Sequence, residues 1–228
     1  MSLVLFGSGE FTENVNDIDE YLITKYKPKN VAVIPTAAGQ EADVEKWIDM
    51  AKTHYGKFNL PVIPIEIFNK TQANDRHLVN LLADADWIFF SGGSPNYLIE
   101  TLRGSLLWDE VIEKYNKGAL LSGSSAGAMV MGKYILSPSF KTIFGKDKVM
   151  WQEAFDLIDY TIIPHFDHFK RQSGFVNKLV SRSLTKIKSP WMGIDENTAI
   201  EFDGKDKIVH GMGNVEVHDQ NGISHLKP

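Results

Sequence analysis

Leu120-Leu121-Ser122-Gly123-Ser124-Ser125-Ala126-Gly127-Ala128-Met129 is the stretch on which the fold turns. An apolar run leads into a Gly-x-Ser-x-Gly, and the following Ala128-Met129-Val130-Met131 reads as the first turn of a buried helix. Strand, sharp turn and helix in direct succession describe an elbow with a serine at its apex. Gly123 and Gly127 flank that serine because side chains would collide where strand and helix nearly touch. Ser125 then projects its hydroxyl outward, and the Ala126 amide at the helix N-terminus faces the place where an oxyanion would form. A short motif of this kind also describes a small-residue turn after a core strand, so the surrounding pattern has to decide.

Upstream, the apolar run 3–6 is closed by Gly7-Ser8-Gly9 and reads as a buried first strand with Glu10 and Phe11 at its C-terminal end. No Gly-x-Gly-x-x-Gly or Gly-Lys-Ser/Thr completes that glycine pair, so no nucleotide site is expected. Val15, Ile18, Tyr21, Leu22 and Tyr26 recur at helical spacing before Pro28, and residues 31–35 form a second apolar strand that enters Thr36-Ala37-Ala38-Gly39. Val44, Trp47, Ile48 and Ala51 share a helical face; residues 62–67 read as a strand broken by Pro64; Leu78, Leu81 and Leu82 lie on a further helix. A strand at 86–90 stops at Ser91-Gly92-Gly93-Ser94, where the absence of side chains lets a backbone N–H approach a ligand. Helices at 98–102 and 106–115 then lead through Gly118 to the elbow strand.

Strands that are apolar throughout, alternating with helices, predict a parallel sheet covered on both faces. Ligands bind such sheets beyond the strands' C-terminal ends, so the loops at Gly7, Gly39, Gly93 and Ser125 are expected to share one edge. Downstream of the elbow, residues 132–151 are less regular, interrupted by Pro138 and Gly145. A strand at 160–164 ends in His165-Phe166-Asp167-His168, an amphipathic helix is expected at 173–184, and a strand at 191–194 ends in Asp195-Glu196-Asn197-Thr198. Short strands at 199–202, 207–210 and 215–218 close the chain. His54, His77, His210, His218 and His225 have no strand-end context and read as surface or structural.

With 228 residues, the chain has room for one α/β domain spanning 1–228 and is short for two. Its 43% hydrophobic and 23% charged content is that of an ordinary globule, and a net charge of -5 gives no support for nucleic-acid binding. There is neither a charged-then-apolar leader nor an apolar run near the roughly 18 residues of a membrane span, so a cytoplasmic location away from membranes is the expectation. The absence of cysteine excludes disulfides, thiolate zinc sites and a cysteine nucleophile.

Three strand ends therefore carry Ser125, His165 and Asp195-Glu196, in that order. A serine hydroxyl is a poor nucleophile near neutral pH until an imidazole takes its proton, and a carboxylate fixes the tautomer of that imidazole. Asp147, Asp167, Asp195 and Glu196 all compete for the carboxylate's place. Asp147 sits in a charged run that looks solvated, Asp167 precedes a helix as an N-cap would, and strand alternation lets only one of Asp195 and Glu196 face the site. Two other classes fit the same residues. His165, Asp167 and His168 with Asp195 and Glu196 have the oxygen and nitrogen donors of a metal-dependent hydrolase, and a binding module without turnover is the third reading.

Phe90-Ser91-Gly92-Gly93, Gly123-Ser124-Ser125-Ala126-Gly127-Ala128, Pro164-His165-Phe166 and Gly193-Ile194-Asp195-Glu196-Asn197-Thr198-Ala199 together resemble the dipeptidase E and cyanophycinase family of serine peptidases. The likeness runs from the first strand to about Ala199. It implies the fold of class I glutamine amidotransferases: a flavodoxin-like three-layer sandwich with a mostly parallel central sheet, here with a small C-terminal antiparallel β extension. It also implies Ser125 as nucleophile, His165 as base and then acid, Glu196 as the third member, and the Gly93 and Ala126 amides as an oxyanion hole. No cofactor or metal is implied. The substrates implied are short peptides with an acidic or β-linked aspartyl residue on the acyl side, which Lys170 and Arg171 would meet; the state of assembly, monomer or homodimer, stays open. Cyanophycinases cluster arginines after the histidine, whereas Asp167-His168-Phe169-Lys170-Arg171 offers one arginine and one lysine. Dipeptidases place an acid shortly after the nucleophile helix, and residues 132–140 contain none.

Overall fold

Each apolar run upstream of the elbow is a strand in the computed structural model, which describes residues 1–136, 151–171, 184, 187 and 189–228. In chain order the elements to the elbow are β1 (Ser2–Phe6), α1 (Asn16–Tyr26), β2 (Val31–Ile34), α2 (Glu45–Gly56), β3 (Val62–Pro64), α3 (Arg76–Val79), β4 (Trp87–Phe90), α4 (Pro95–Leu102), α5 (Leu106–Asn116), β5 (Leu120–Ser124) and α6 (Ala126–Met131). There follow β6 (Tyr134–Leu136), β7 (Trp151–Glu153), β8 (Thr161–Pro164), α7 (Phe166–Arg171), β9 (Trp191–Ile194), β10 (Thr198–Asp203), β11 (Asp206–Gly211), β12 (Val215–Asp219) and β13 (Gly222–Leu226).

The central sheet runs β11-β10-β1-β5-β4-β2-β3. Its pairs from β1 to β3 are parallel, and β10 and β11 add antiparallel at the β1 edge. Alternation along each strand sorts side chains into two cores. Val4, Phe6, Val31, Val33, Trp87 and Phe89 pack on one face with Ile18 and Leu22 of α1 and Ile48 and Tyr55 of α2. Leu3, Leu5, Ala32, Ile34, Ile88 and Phe90 pack on the other with residues of α4, α5 and α6 such as Leu98, Val111 and Val130. These strands read as unbroken apolar runs because neither face meets water, and each such side chain contributes about 1.5–3 kcal/mol on burial.

The expected 62–67 strand pairs only as far as Pro64, although Ile65 donates one further bond to the Val33 carbonyl and Ile65 and Ile67 are buried. The helix expected around Leu78 is a short α3 followed by a 3-10 turn at Asn80–Leu82. The C-terminal strands divide in a way the local pattern does not reveal. β10 and β11 cover the β1 edge, whereas β12 and β13 continue a second sheet, ordered β13-β12-β9-β8, in which β8 and β9 are parallel. The short pair β6-β7 was not anticipated, nor was β13. Pro138, Gly145, Asp147 and the helix expected at 173–184, residue 184 apart, lie outside the described residues. Among the described residues no helix is long and apolar enough to cross a membrane.

One buried charge fastens α1 to the sheet edge. Glu201, on β10 and fully buried, accepts bonds from Lys25 Nζ at 2.9 Å and from the Tyr26 hydroxyl, and lies 2.9 Å from His210 Nε2. Burial pushes the Glu201 carboxyl up, but these donors outweigh it and hold it below the ordinary carboxylate range. Tyr26 is pushed up to about 12 by burial and by Glu201. A carboxyl held below its unfolded value of about 4.3 contributes stability that is complete above that value and is lost as the pH falls through the folded one. Thermal melts from pH 6 down to pH 3 should therefore show a falling Tm. Glu201→Gln should flatten that slope and cost about 2 kcal/mol near neutrality, from lost charge-assisted bonds. An unchanged slope in the variant would mean that the acid sensitivity resides elsewhere.

Candidate active site

The elbow has the geometry its glycines require. A Cβ on Gly123 would lie 2.4 Å from the Gly127 carbonyl oxygen, and one on Gly127 would lie 2.4 Å from that of Phe90. Strand β5 and helix α6 approach this closely because Ser125 turns at φ 49°, ψ -111°, a conformation that costs an L-residue about 1–3 kcal/mol. The turn is held at both ends: the Ser125 N–H donates to the Phe6 carbonyl at 3.1 Å, and the Ser125 carbonyl accepts the Met129 N–H at 2.9 Å.

Ser125 Oγ lies 2.7 Å from His165 Nε2. His165 follows β8 and is itself strained, at φ 139°. Its Nδ1 lies 3.1 Å from Glu196 Oε1. Glu196 follows β9, the parallel neighbour of β8, so two adjacent strand ends present an imidazole and a carboxylate side by side. The His165 and Glu196 side chains are 41% and 38% exposed, so their contact is a matter of orientation more than of stability.

The neighbouring acids have other partners. Asp195 is buried, and its Oδ2 accepts the Asn214 N–H at 2.9 Å, which is the alternation expected for the residue next to Glu196. Asp167 Oδ1 accepts the Glu196 N–H at 3.0 Å, and its Oδ2 accepts from Arg171 at 2.7 Å. Burial pushes the Asp167 carboxyl up, but the backbone donors and Arg171 hold it below its ordinary value. Asp167 thus secures the main chain of Glu196 and does not itself reach His165. Lys170 lies 3.4 Å from Glu216 and over the Phe166 ring, so both cations expected to meet a substrate already face a carboxylate of the chain. Among the described residues no three metal-ligating side chains converge, and four of the donors of the metal reading, His165, Asp167, Asp195 and Glu196, are divided among these contacts.

At the end of β4, Gly93 has φ +136°, and a Cβ there would lie 2.4 Å from the Ala37 carbonyl, so only glycine fits. The next N–H, that of Ser94, donates to Ala37 O at 2.8 Å. Among the described residues neither the Gly93 nor the Ala126 N–H has a protein acceptor. The Gly92 N–H, in contrast, is taken by Glu10. The sequence pattern placed Glu10 at this edge without giving it a part; the signal was an acid directly after the Gly7-Ser8-Gly9 turn. Of the histidines read as surface or structural, His54 is buried 2.6 Å from Asp19 and His210 faces Glu201, both remote from Ser125 in role.

The model of peptidase family S51 matches residues 3–210. A crystal structure of a peptidase from an acI-B1 Actinobacterium superposes with a TM-score of 0.85 at 28% identity, covering 99% of this chain and 93% of that one. Among curated proteins, the cyanophycinase of Geminocystis herdmanii is 24% identical over 86% of this chain and 71% of its own length. Peptidase E of Actinobacillus pleuropneumoniae is 23% identical over 85% and 80% respectively. An elbow serine in contact with a histidine, in a chain that matches the family's model almost throughout, leads to one assignment: the chain belongs to peptidase family S51 and is a serine hydrolase.

Proposed function

We propose that this peptidase hydrolyses short peptides through an acyl-enzyme on Ser125, with His165 as general base and acid and Glu196 as the orienting carboxylate. The observation that carries the reading is the continuous contact Ser125 Oγ–His165 Nε2–Nδ1–Glu196 Oε1 at 2.7 and 3.1 Å. With Nδ1–H donated to Glu196, the Nε2 lone pair takes the hydroxyl proton as Oγ attacks the substrate carbonyl carbon. The carbonyl oxygen becomes an oxyanion facing the Gly93 and Ala126 N–H groups, which have no acceptor among the described residues to give up. Collapse of the tetrahedral intermediate breaks the C–N bond, and the imidazolium delivers its proton to the leaving amine. Water then repeats the sequence on the ester and frees Ser125. Glu196 stabilises the imidazolium in both halves.

For the acyl side, we propose an acidic or β-linked aspartyl residue. The relatives named cyanophycinase and peptidase E support this preference. Lys170 and Arg171 are the cations proposed to meet the substrate carboxylate, Arg171 by exchanging its contact with Asp167. The substrate is a small peptide; neither nucleic acid nor membrane is a proposed partner, and a cytoplasmic location is part of the proposal.

Ser125→Ala should abolish peptide hydrolysis, by up to about 10⁶ in kcat, while leaving Tm nearly unchanged, since a half-buried elbow hydroxyl contributes little to packing. Wild-type turnover in that variant would refute the serine mechanism. Glu196→Gln should lower kcat by about 10² to 10⁴ with KM little altered. Asp167→Asn should keep most activity, because an asparagine Oδ1 still accepts the Glu196 N–H; a large loss at Asp167 with little at Glu196 would transfer the role. Digestion of a dipeptide library, read by mass spectrometry, should release products first from aspartyl and β-aspartyl members. Rapid cleavage of neutral dipeptides with aspartyl ones untouched would overturn the acidic preference and leave the serine mechanism standing.

A further inference from the structure

We propose that Glu10 is a positioning residue for the oxyanion side of the site, holding the Gly92-Gly93 turn in one orientation against the elbow; this rests on the reading of Ser125 as nucleophile. Glu10 follows β1 and is buried, with 7% of its surface exposed. Its Oε1 accepts the Gly92 N–H at 2.9 Å, and its Oε2 accepts the Ser124 hydroxyl at 2.6 Å. One carboxylate thereby joins the ends of three strands. It grips the residue immediately before Gly93 and the residue immediately before Ser125.

The need for such a grip follows from the two glycines. A Gly-Gly pair has access to most of φ/ψ space, so the peptide unit that carries the Gly93 N–H has little intrinsic reason to keep that N–H facing the site. Its downstream end is fixed by the Ser94 N–H on the Ala37 carbonyl at 2.8 Å. Its upstream end is fixed by Glu10. With both ends held, the N–H between them keeps one direction and need not reorganise as charge develops on the substrate oxygen. Two donors, one N–H and one O–H, also account for the residue type. A carboxylate offers an acceptor oxygen to each, and charge-assisted bonds are about twice as strong as neutral ones. A glutamine has one acceptor oxygen, so it keeps the Gly92 N–H only by turning its NH₂ toward the Ser124 hydroxyl, which must then accept instead of donate.

The test uses the full chain and a fluorophosphonate probe, which reacts at a serine nucleophile and needs no knowledge of the natural substrate. Three quantities are read for wild type, Glu10→Gln, Glu10→Ala and Ser124→Ala: the second-order labelling rate at Ser125, the fraction labelled at completion, and Tm. The expected result is a labelled fraction near that of wild type in every variant. The rate should fall about 10- to 100-fold in Glu10→Ala, by less in Glu10→Gln, and by about threefold or less in Ser124→Ala, which keeps the Gly92 bond. A purely structural role predicts the opposite division, a reduced labelled fraction whose active remainder reacts at the wild-type rate, and that result would overturn the proposal. Wild-type rates in both Glu10 variants would overturn it too. If Glu10→Ala does not fold, the rate in Glu10→Gln decides by the same criterion. Failure of the wild-type chain to take the label at Ser125 would instead overturn the serine reading itself, and this proposal with it.

Discussion

The close approach of β5 to α6 is the constraint on which the site depends. The Gly127 carbonyl occupies the space that a Cβ on Gly123 would need, and the backbone reaches that separation only by forcing Ser125 into an unfavourable turn. Such strain persists only where the surroundings over-determine it. Here they do: β5 lies between β1 and β4, the Ser125 N–H is bonded to β1, and both faces of the sheet are closed by packed side chains. The result is a hydroxyl on a rigid support, with an N–H one residue away that has no acceptor among the described residues.

The proposed catalytic machinery is divided between two sheets. The serine stands on the central parallel sheet, and the histidine and acid stand on adjacent strand ends of the second. Ser125, His165 and Asn197, the residue after Glu196, all have positive φ, so the chain turns sharply at each of the three strand ends that form the site. Each carboxylate nearby has a separate task, set by which donors reach it. Asp195 accepts from the turn after β11, Asp167 secures the Glu196 main chain, Glu10 accepts from the turn after β4 and from the end of β5, and Glu196 faces the imidazole. Of these four acids, Glu196 alone touches a ring nitrogen of His165.

Much of this arrangement is legible along the chain because it is local. The elbow needs no partner to be recognised: two glycines, a serine and an apolar run on each side specify it within ten residues. The two-core sandwich is equally visible, since strands buried on both faces are predominantly apolar. Strand alternation likewise separates Asp195 from Glu196 without coordinates. The places where local reading falls short are those of long-range pairing. Nothing in the 199–218 strands tells that β10 and β11 join β1 while β12 turns to β9, because an antiparallel edge strand reads the same whichever edge it covers. Strands of three residues, such as β6 and β7, are too short to carry a period.

The sequence by itself determined the class of fold, the serine at its apex and the short set of residues eligible to serve it, because steric limits on glycine turns and the solvation of apolar strands act over neighbouring positions. The distribution of roles among the acids was a tertiary decision. Asp167 and Glu196 are both two-oxygen acceptors, one in the first turn of α7 and one just after β9. What separates them is that one lies under a main-chain N–H and an arginine 2.7 Å away, whereas the other lies 3.1 Å from an imidazole. Glu10 was placed at the right edge by its position after β1, but its two partners sit 82 and 114 residues further along the chain. A hydrogen bond depends on a few tenths of an ångström in space, and only the folded chain sets distances of that kind between residues so far apart.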